Sequence, residues 1–177
     1  MSKTASPLSD NSPILIALGA NLPTAAFGPP RAALEAAVAE LGRRGLKVTR
    51  RSRWYESAPV PASDQPWYVN GVVEVETSLG PEALLSLLHE VEAAFGRVRR
   101  ELNAPRTLDL DLIAYGAAVR EDGPPPLLPH PRMADRAFVL LPLAEIRPDW
   151  RHPVLQRTAA ELAANLPNDQ PIRVAQG

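Results

Sequence analysis

The chain contains no cysteine, which excludes disulfide bonds and thiolate metal sites and fits a reducing compartment. No apolar run approaches the length of a membrane span. Residues Met1–Ser12 are polar and lack the apolar centre of a signal peptide, so a cytoplasmic protein with a disordered N-terminal tail (1–12) is expected. Net charge is only −1, which gives no bulk attraction to nucleic acid or to an anionic membrane. There are nine aromatic residues, three each of Trp, Tyr and Phe, too few and too scattered for the stacking surface of an RNA-binding sheet. Neither Gly-x-x-x-x-Gly-Lys-Ser/Thr nor Gly-x-Gly-x-x-Gly occurs, so any nucleotide must be held without those glycine-rich frames.

What is abundant is proline, 20 of 177 residues, and arginine, 17 of the 19 basic residues, since only Lys3 and Lys47 are lysine. The prolines imply many fixed loops. The arginine bias is assigned to genomic base composition, although arginine also suits phosphate recognition. With 45% hydrophobic and 22% charged residues, the composition is that of a globular chain long enough for one domain with a proper core. The expected division is a single catalytic domain over 13–166 and a C-terminal tail over 167–177.

Ile14–Leu18 is a continuous apolar run that reads as a strand buried on both faces, ended by a turn at Gly19-Ala20-Asn21-Leu22. Pro29 and Pro30 open a helix with Leu34, Val38 and Leu41 on its apolar side, stopped by Gly42 and Gly45. Leu46–Tyr55 reads as an arginine-rich strand and 56–66 as a proline-rich loop. Trp67–Thr77 reads as a second strand with Tyr68, Asn70 and Val72 on one face and Val69, Val73 and Val75 on the other. Pro81 opens a helix on Leu84, Leu88, Val91 and Phe95, closed by Gly96. A basic loop leads into a third long strand. Met133–Leu141 reads as a helix ended or kinked at Pro142, and Thr158 with Glu161 has the spacing of a capping box for a short helix to Asn165. The order is β-α-β-β-α-β. The fold class expected is α+β, a ferredoxin-like antiparallel sheet with helices packed on it and extra C-terminal helices.

The chemistry centres on Leu108–Leu112. Alternation puts Leu108, Leu110 and Leu112 on one side and Asp109 and Asp111 on the other. Asp is a poor strand former, and two carboxylates at i, i+2 repel. A hard divalent cation relieves that repulsion, and Mg²⁺ typically takes one or two carboxylates and completes its shell with water and phosphate oxygens. The competing reading is a solvated outer sheet face. Arg97, Arg99, Arg100, Arg106, Arg132 and Arg136 are candidate phosphate ligands, singly unremarkable but clustered around the Asp pair. Tyr68 and Asn70 on one face suit a flat heterocycle, the ring stacking and the amide meeting a donor–acceptor edge; core packing is the alternative. Phe138 is a second ring wall or core. His130, between two prolines, braces its loop or meets substrate. Glu92 and His89, three apart, read as a surface pair.

Five stretches then resemble the signatures of one family in its order: Ala17-Leu18-Gly19-Ala20-Asn21-Leu22, Asp64-Gln65-Pro66-Trp67-Tyr68-Val69-Asn70, Gly96-Arg97-Val98-Arg99, Pro105-Arg106-Thr107-Leu108-Asp109-Leu110-Asp111, and Pro129-His130-Pro131-Arg132-Met133 through Arg136 and Phe138-Val139-Leu140. Together they resemble 6-hydroxymethyl-7,8-dihydropterin pyrophosphokinase. The resemblance implies transfer of diphosphate from ATP to the pterin hydroxymethyl group, with release of AMP, in folate synthesis. It implies Asp109 and Asp111 as ligands of two Mg²⁺ ions, with Arg97 and Arg106 neutralising the transferring phosphates. Arg99, His130, Arg136 and Glu92 are implied in ATP binding, and Ser57, Ala58, Val60, Tyr68, Asn70 and Phe138 in pterin binding. The partners implied are these two substrates, with no nucleic acid or membrane, and a monomer is expected. Many relatives carry Arg-Trp-Gly where Leu102-Asn103-Ala104 stands here. A metal-dependent nucleotidyltransferase and a ferredoxin-like binding module are the readings set against this one.

Overall fold

The computed structural model describes residues 13–59, 63–96 and 107–176. Its elements are β1 (Ile14–Ala20), α1 (Pro30–Arg43), β2 (Lys47–Arg51), β3 (Tyr55–Ser57), β4 (Tyr68–Glu76), α2 (Pro81–Ala94), β5 (Asp109–Tyr115), a 3-10 turn (Met133–Asp135), α3 (Ala137–Ile146), α4 (Ala159–Ala164) and β6 (Ile172–Val174). The sheet is antiparallel, ordered β5-β1-β4-β3-β6, with β2 also on β4. The ferredoxin-like arrangement expected from the element order is what forms.

Position in the sheet explains the sequence of β1. It lies between β4 and β5 and is buried along its whole length, hence its unbroken apolar run. One face of the sheet meets α1 and α2 through Ile14, Ile16, Leu18, Leu34, Leu84, Leu88 and Leu110. The other face carries Leu15, Ala17, Val72 and Ile113, covered by Leu140 and Leu143 of α3 and Leu162 of α4. Each fully buried Leu or Ile contributes roughly 1.5–3 kcal/mol.

The strand expected over Leu46–Tyr55 is two strands. β2 pairs with Val73–Glu76, and β3 pairs with Tyr68–Asn70. Between them Ser52 still bonds Val72, its hydroxyl accepting the Val72 N–H and its own N–H donating to the Val72 carbonyl. The Trp54 ring then lies across Gly71, where an added Cβ would meet it at 2.6 Å. A glycine in the middle of β4 is what lets the tryptophan sit on the sheet. Glu56 and Ser57, expected in the loop, are therefore strand residues.

β5 carries a bulge. Leu15 pairs with Ala114 but Ile16 pairs with Leu112, so Ile113 has no partner on β1. The helix expected over Met133–Leu141 is a 3-10 turn and then α3, separated at Arg136 (φ −115°, ψ 114°). α3 continues through Pro142 to Ile146, because burial of that face against β4 outweighs the one missing N–H. The capping box forms as expected: the Thr158 hydroxyl accepts the Glu161 N–H and the Glu161 carboxylate accepts the Thr158 N–H. The region expected as a tail, 167–177, contributes β6, paired antiparallel with β3.

His152, buried in the connection to α4, accepts at Nδ1 from the N–H groups of both Val154 and Leu155. Burial holds its imidazole below the ordinary value of 6.5. Protonation would cancel both hydrogen bonds. The sign follows: the contribution is complete above about pH 6.5 and is lost as pH falls through that value towards the folded-state value. A His152→Asn variant keeps an acceptor but cannot titrate. Its stability deficit relative to wild type, measured by urea unfolding, should shrink between about pH 7.5 and about pH 5; a constant deficit would refute the coupling.

Candidate active site

Cross-strand register assembles the site. Gly19 of β1 lies opposite Asp109 of β5 on one side and Asn70 of β4 on the other. Directly paired residues share a sheet face, so Asp109, Gly19 and Asn70 form one row, two strand spacings or about 10 Å across. Asp111, Ala17 and Val72 form the next row. This is the face that α3 covers further along; at the Asp end both carboxylate residues remain half-buried.

Gly19 keeps the row open. A Cβ there would lie 3.0 Å from Asn70 Oδ1, so that carbonyl oxygen hangs over the glycine. The Asn70 amide nitrogen donates to the Ser57 hydroxyl at 2.7 Å, and both residues are buried. Ser57 in turn pairs with Tyr68 across β3–β4. The buried Asn21, just past β1, donates to Gln65 Oε1 and to the Pro66 carbonyl, and so ties the stretch before Tyr68 to the end of the central strand. Sequence reasoning gave neither Gly19 nor Asn21 a role; the Gly-Ala-Asn turn after a buried strand was the available signal.

Glu92 is not a surface partner of His89. It is 1% exposed, and its carboxylate accepts the Leu110 N–H at 2.7 Å, between the two aspartates. It anchors the strand segment that carries them. His130 donates its N–H to the bulged Ile113 carbonyl, and its Nδ1 accepts the Arg132 N–H at 3.2 Å. The neutral ring then has its proton on Nε2, a donor. Burial, and next Arg136, hold the His130 imidazole below its ordinary value; Asp109 pulls it the other way, and Arg132 lowers it further. The four groups thus share one electrostatic neighbourhood. Arg136 stands immediately before α3 with its guanidinium 5.3 Å from the centre of the half-buried Phe138 ring.

The structure therefore brings together Asp109, Asp111, His130, Arg136 and Glu92 at one end of β5, and Ser57, Tyr68 and Asn70 across Gly19, with Ala58 following β3. Val60, Arg97, Arg99, Arg100 and Arg106 lie outside the described residues. Among the described residues no group of three His, Asp or Glu could hold a metal ion. Two carboxylates with oxygen donors only are still a donor set that fits Mg²⁺ completed by phosphate and water. Thr107, two residues before Asp109, keeps a buried hydroxyl with no hydrogen-bond partner among the described residues.

Residues 15–148 match the family model described as 7,8-dihydro-6-hydroxymethylpterin-pyrophosphokinase. The chain is 44% identical over 149 residues to a 2-amino-4-hydroxy-6-hydroxymethyldihydropteridine pyrophosphokinase of Synechocystis sp., covering 84% of this chain and 73% of the relative. It is 42% identical over 143 residues to the protein of that name from Pseudomonas aeruginosa, covering 79% and 83%. A Plasmodium falciparum HPPK-DHPS crystal structure with pterin and p-hydroxybenzoate shares the fold at a TM-score of 0.67 and 14% identity, over 86% of this chain and 43% of that longer one. On this match, over most of its length and through the strands that carry the aspartate pair and the Asn70 row, the chain belongs to the 7,8-dihydro-6-hydroxymethylpterin-pyrophosphokinase family.

Proposed function

We propose that this pyrophosphokinase moves the diphosphate of ATP onto the hydroxymethyl group of 6-hydroxymethyl-7,8-dihydropterin and releases AMP, in folate synthesis. The observation that carries the reading is the row Asp109–Gly19–Asn70. It puts the Asp109 carboxylate and the Asn70 amide on one face, with a residue that has no side chain between them, which supports a metal ligand on one side and a heterocycle contact on the other.

The pterin hydroxymethyl oxygen bonds to the β-phosphorus and gives up its proton to solvent, while the bond from that phosphorus to the α,β-bridging oxygen breaks and AMP leaves with the bridging oxygen. Such transfers ask the protein mainly for alignment and charge neutralisation. Asp109 and Asp111 are the residues that would hold two Mg²⁺ ions, and bound there these supply charge neutralisation at the phosphates. Arg97 and Arg106 offset the charge that develops on the transferring group. Arg99, Arg136 and the Nε2 proton of His130 hold ATP, and the buried Glu92 serves that end of the site through the Leu110 N–H that its carboxylate accepts. Tyr68 and Phe138 take the two faces of the pterin. Asn70 presents Oδ1, since its amide nitrogen is engaged by Ser57. Ala58 offers its carbonyl, since its N–H donates to Pro171; Val60 adds a further backbone group. A cytoplasmic monomer is the state proposed. No described helix is long and apolar enough to cross a membrane.

The test is chromatography of the nucleotide product with ATP, Mg²⁺ and the pterin. AMP that forms only when both pterin and Mg²⁺ are present is expected. Release of pyrophosphate would mean nucleotidyl transfer instead, and no product with either would remove the assignment.

A further inference from the structure

The C-terminal segment touches both sides of the pterin slot, and it does so through consecutive residues. The Gln170 side chain spans Arg136: its Oε1 accepts the Ala137 N–H at 2.9 Å, and its Nε2 donates to the Asp135 carbonyl at 2.8 Å. α3 has no side-chain cap of its own at Arg136, so a glutamine 33 residues away caps the helix start. Phe138 is the residue after Ala137. The very next residue, Pro171, accepts the Ala58 N–H at 3.1 Å, and Ile172 pairs with Ser57. Among the groups assigned to the pterin above, Phe138 is thereby tied to Ser57 and Ala58 through three successive residues. Arg173 continues the strap, with its guanidinium on Glu56 and 4.6 Å from the centre of the Trp67 ring, next to Tyr68.

We infer that Gln170 is a positioning residue for the pterin: by clamping Asp135 and Ala137 it sets the distance between the Phe138 wall and the Ser57–Tyr68 wall. This rests on the pterin reading above. The physical reason is that a ring's place follows its backbone, and a stacking slot must be held to a fraction of an ångström. The long Arg136 side chain can re-aim at a phosphate after a small backbone shift, whereas the Phe138 ring cannot.

The experiment compares Gln170→Leu, Gln170→Glu and Thr158→Ala with wild type. Leu keeps the volume and loses both hydrogen bonds; Glu keeps the acceptor for Ala137; Thr158→Ala removes the cap of α4, which bears no assigned site residue. Gln170→Leu should raise KM for the pterin about tenfold while kcat and KM for ATP change less than about threefold. Gln170→Glu should recover most of that loss. Thr158→Ala should lower the melting temperature as Gln170→Leu does, with the pterin KM unmoved. A normal pterin KM in Gln170→Leu, or equal KM changes in Gln170→Leu and Thr158→Ala, would overturn the clamp while leaving the proposed reaction standing. Wild-type protein that neither binds nor converts the pterin would overturn both.

Discussion

Asp109→Ala and Asp111→Ala proteins should fold normally and lose turnover by about three orders of magnitude or more, ~4 kcal/mol of transition-state stabilisation. Charge neutralisation at the transferring phosphates is the largest single demand of the proposed reaction, and these two carboxylates are the metal ligands it assigns on the site face. Stability should change little. Both side chains are half-buried on one face of one strand, and alanine at either place leaves the backbone pairing of β5 with β1 in place. The checks are single-turnover AMP formation, together with melting temperature and far-ultraviolet circular dichroism. A slow variant with a melting temperature close to wild type is the expected pair of results; full activity in either variant would remove the metal site from the mechanism.

The largest expected loss of stability lies elsewhere, at Arg147. Its guanidinium bonds Glu74 twice, at 2.6 and 3.0 Å, and both residues are buried. Glu74 projects from the C-terminal part of β4, and Arg147 caps the end of α3, so the pair rivets helix to sheet. Burial would raise the Glu74 pKa, but Arg147, with Thr49 and Arg50, more than offsets it and holds that carboxyl below its ordinary value. Arg147→Ala leaves a buried carboxylate with the Thr49 hydroxyl, which costs about 3–5 kcal/mol. Against a total stability of about 5–15 kcal/mol that is a large share. Removing both charges with Arg147→Met and Glu74→Leu should restore much of the loss, because the cost lies in the orphaned charge more than in the missing attraction. Denaturant midpoints of the single and double variants decide it. A double variant as unstable as Arg147→Ala would show that the pair itself supplies the stability.

The sheet and its helices were legible because burial writes itself into periodicity. The unbroken apolar run of β1 follows from neighbours on both edges and helices on both faces, and the i, i+4 spacing of Leu84 and Leu88 follows from one buried helix side. The Asp-x-Asp strand was legible for the opposite reason, as a local violation of strand preference that only chemistry explains. Long-range pairings left no such trace. Nothing in the composition of 52–54 announces that Trp54 will cross Gly71 and split a strand. Glu92 has the spacing of a surface partner for His89, and only the fold reveals the Leu110 amide that draws it inward. Gln170 looks like part of a polar tail until α3 turns its start towards it.

The way the sheet ends has a consequence for solubility. β5 is a terminal strand, and such a strand normally offers a row of unpaired amides and carbonyls on which a second chain can grow. Here the Glu92 carboxylate covers the Leu110 amide and the His130 N–H covers the Ile113 carbonyl. At the opposite end β6 is only three residues long and follows Pro171. The groups that hold the Asp109–Asp111 segment therefore also cover part of the sheet edge, and stripping Glu92 from beneath β5 would expose a template for aggregation as well as loosen the aspartates.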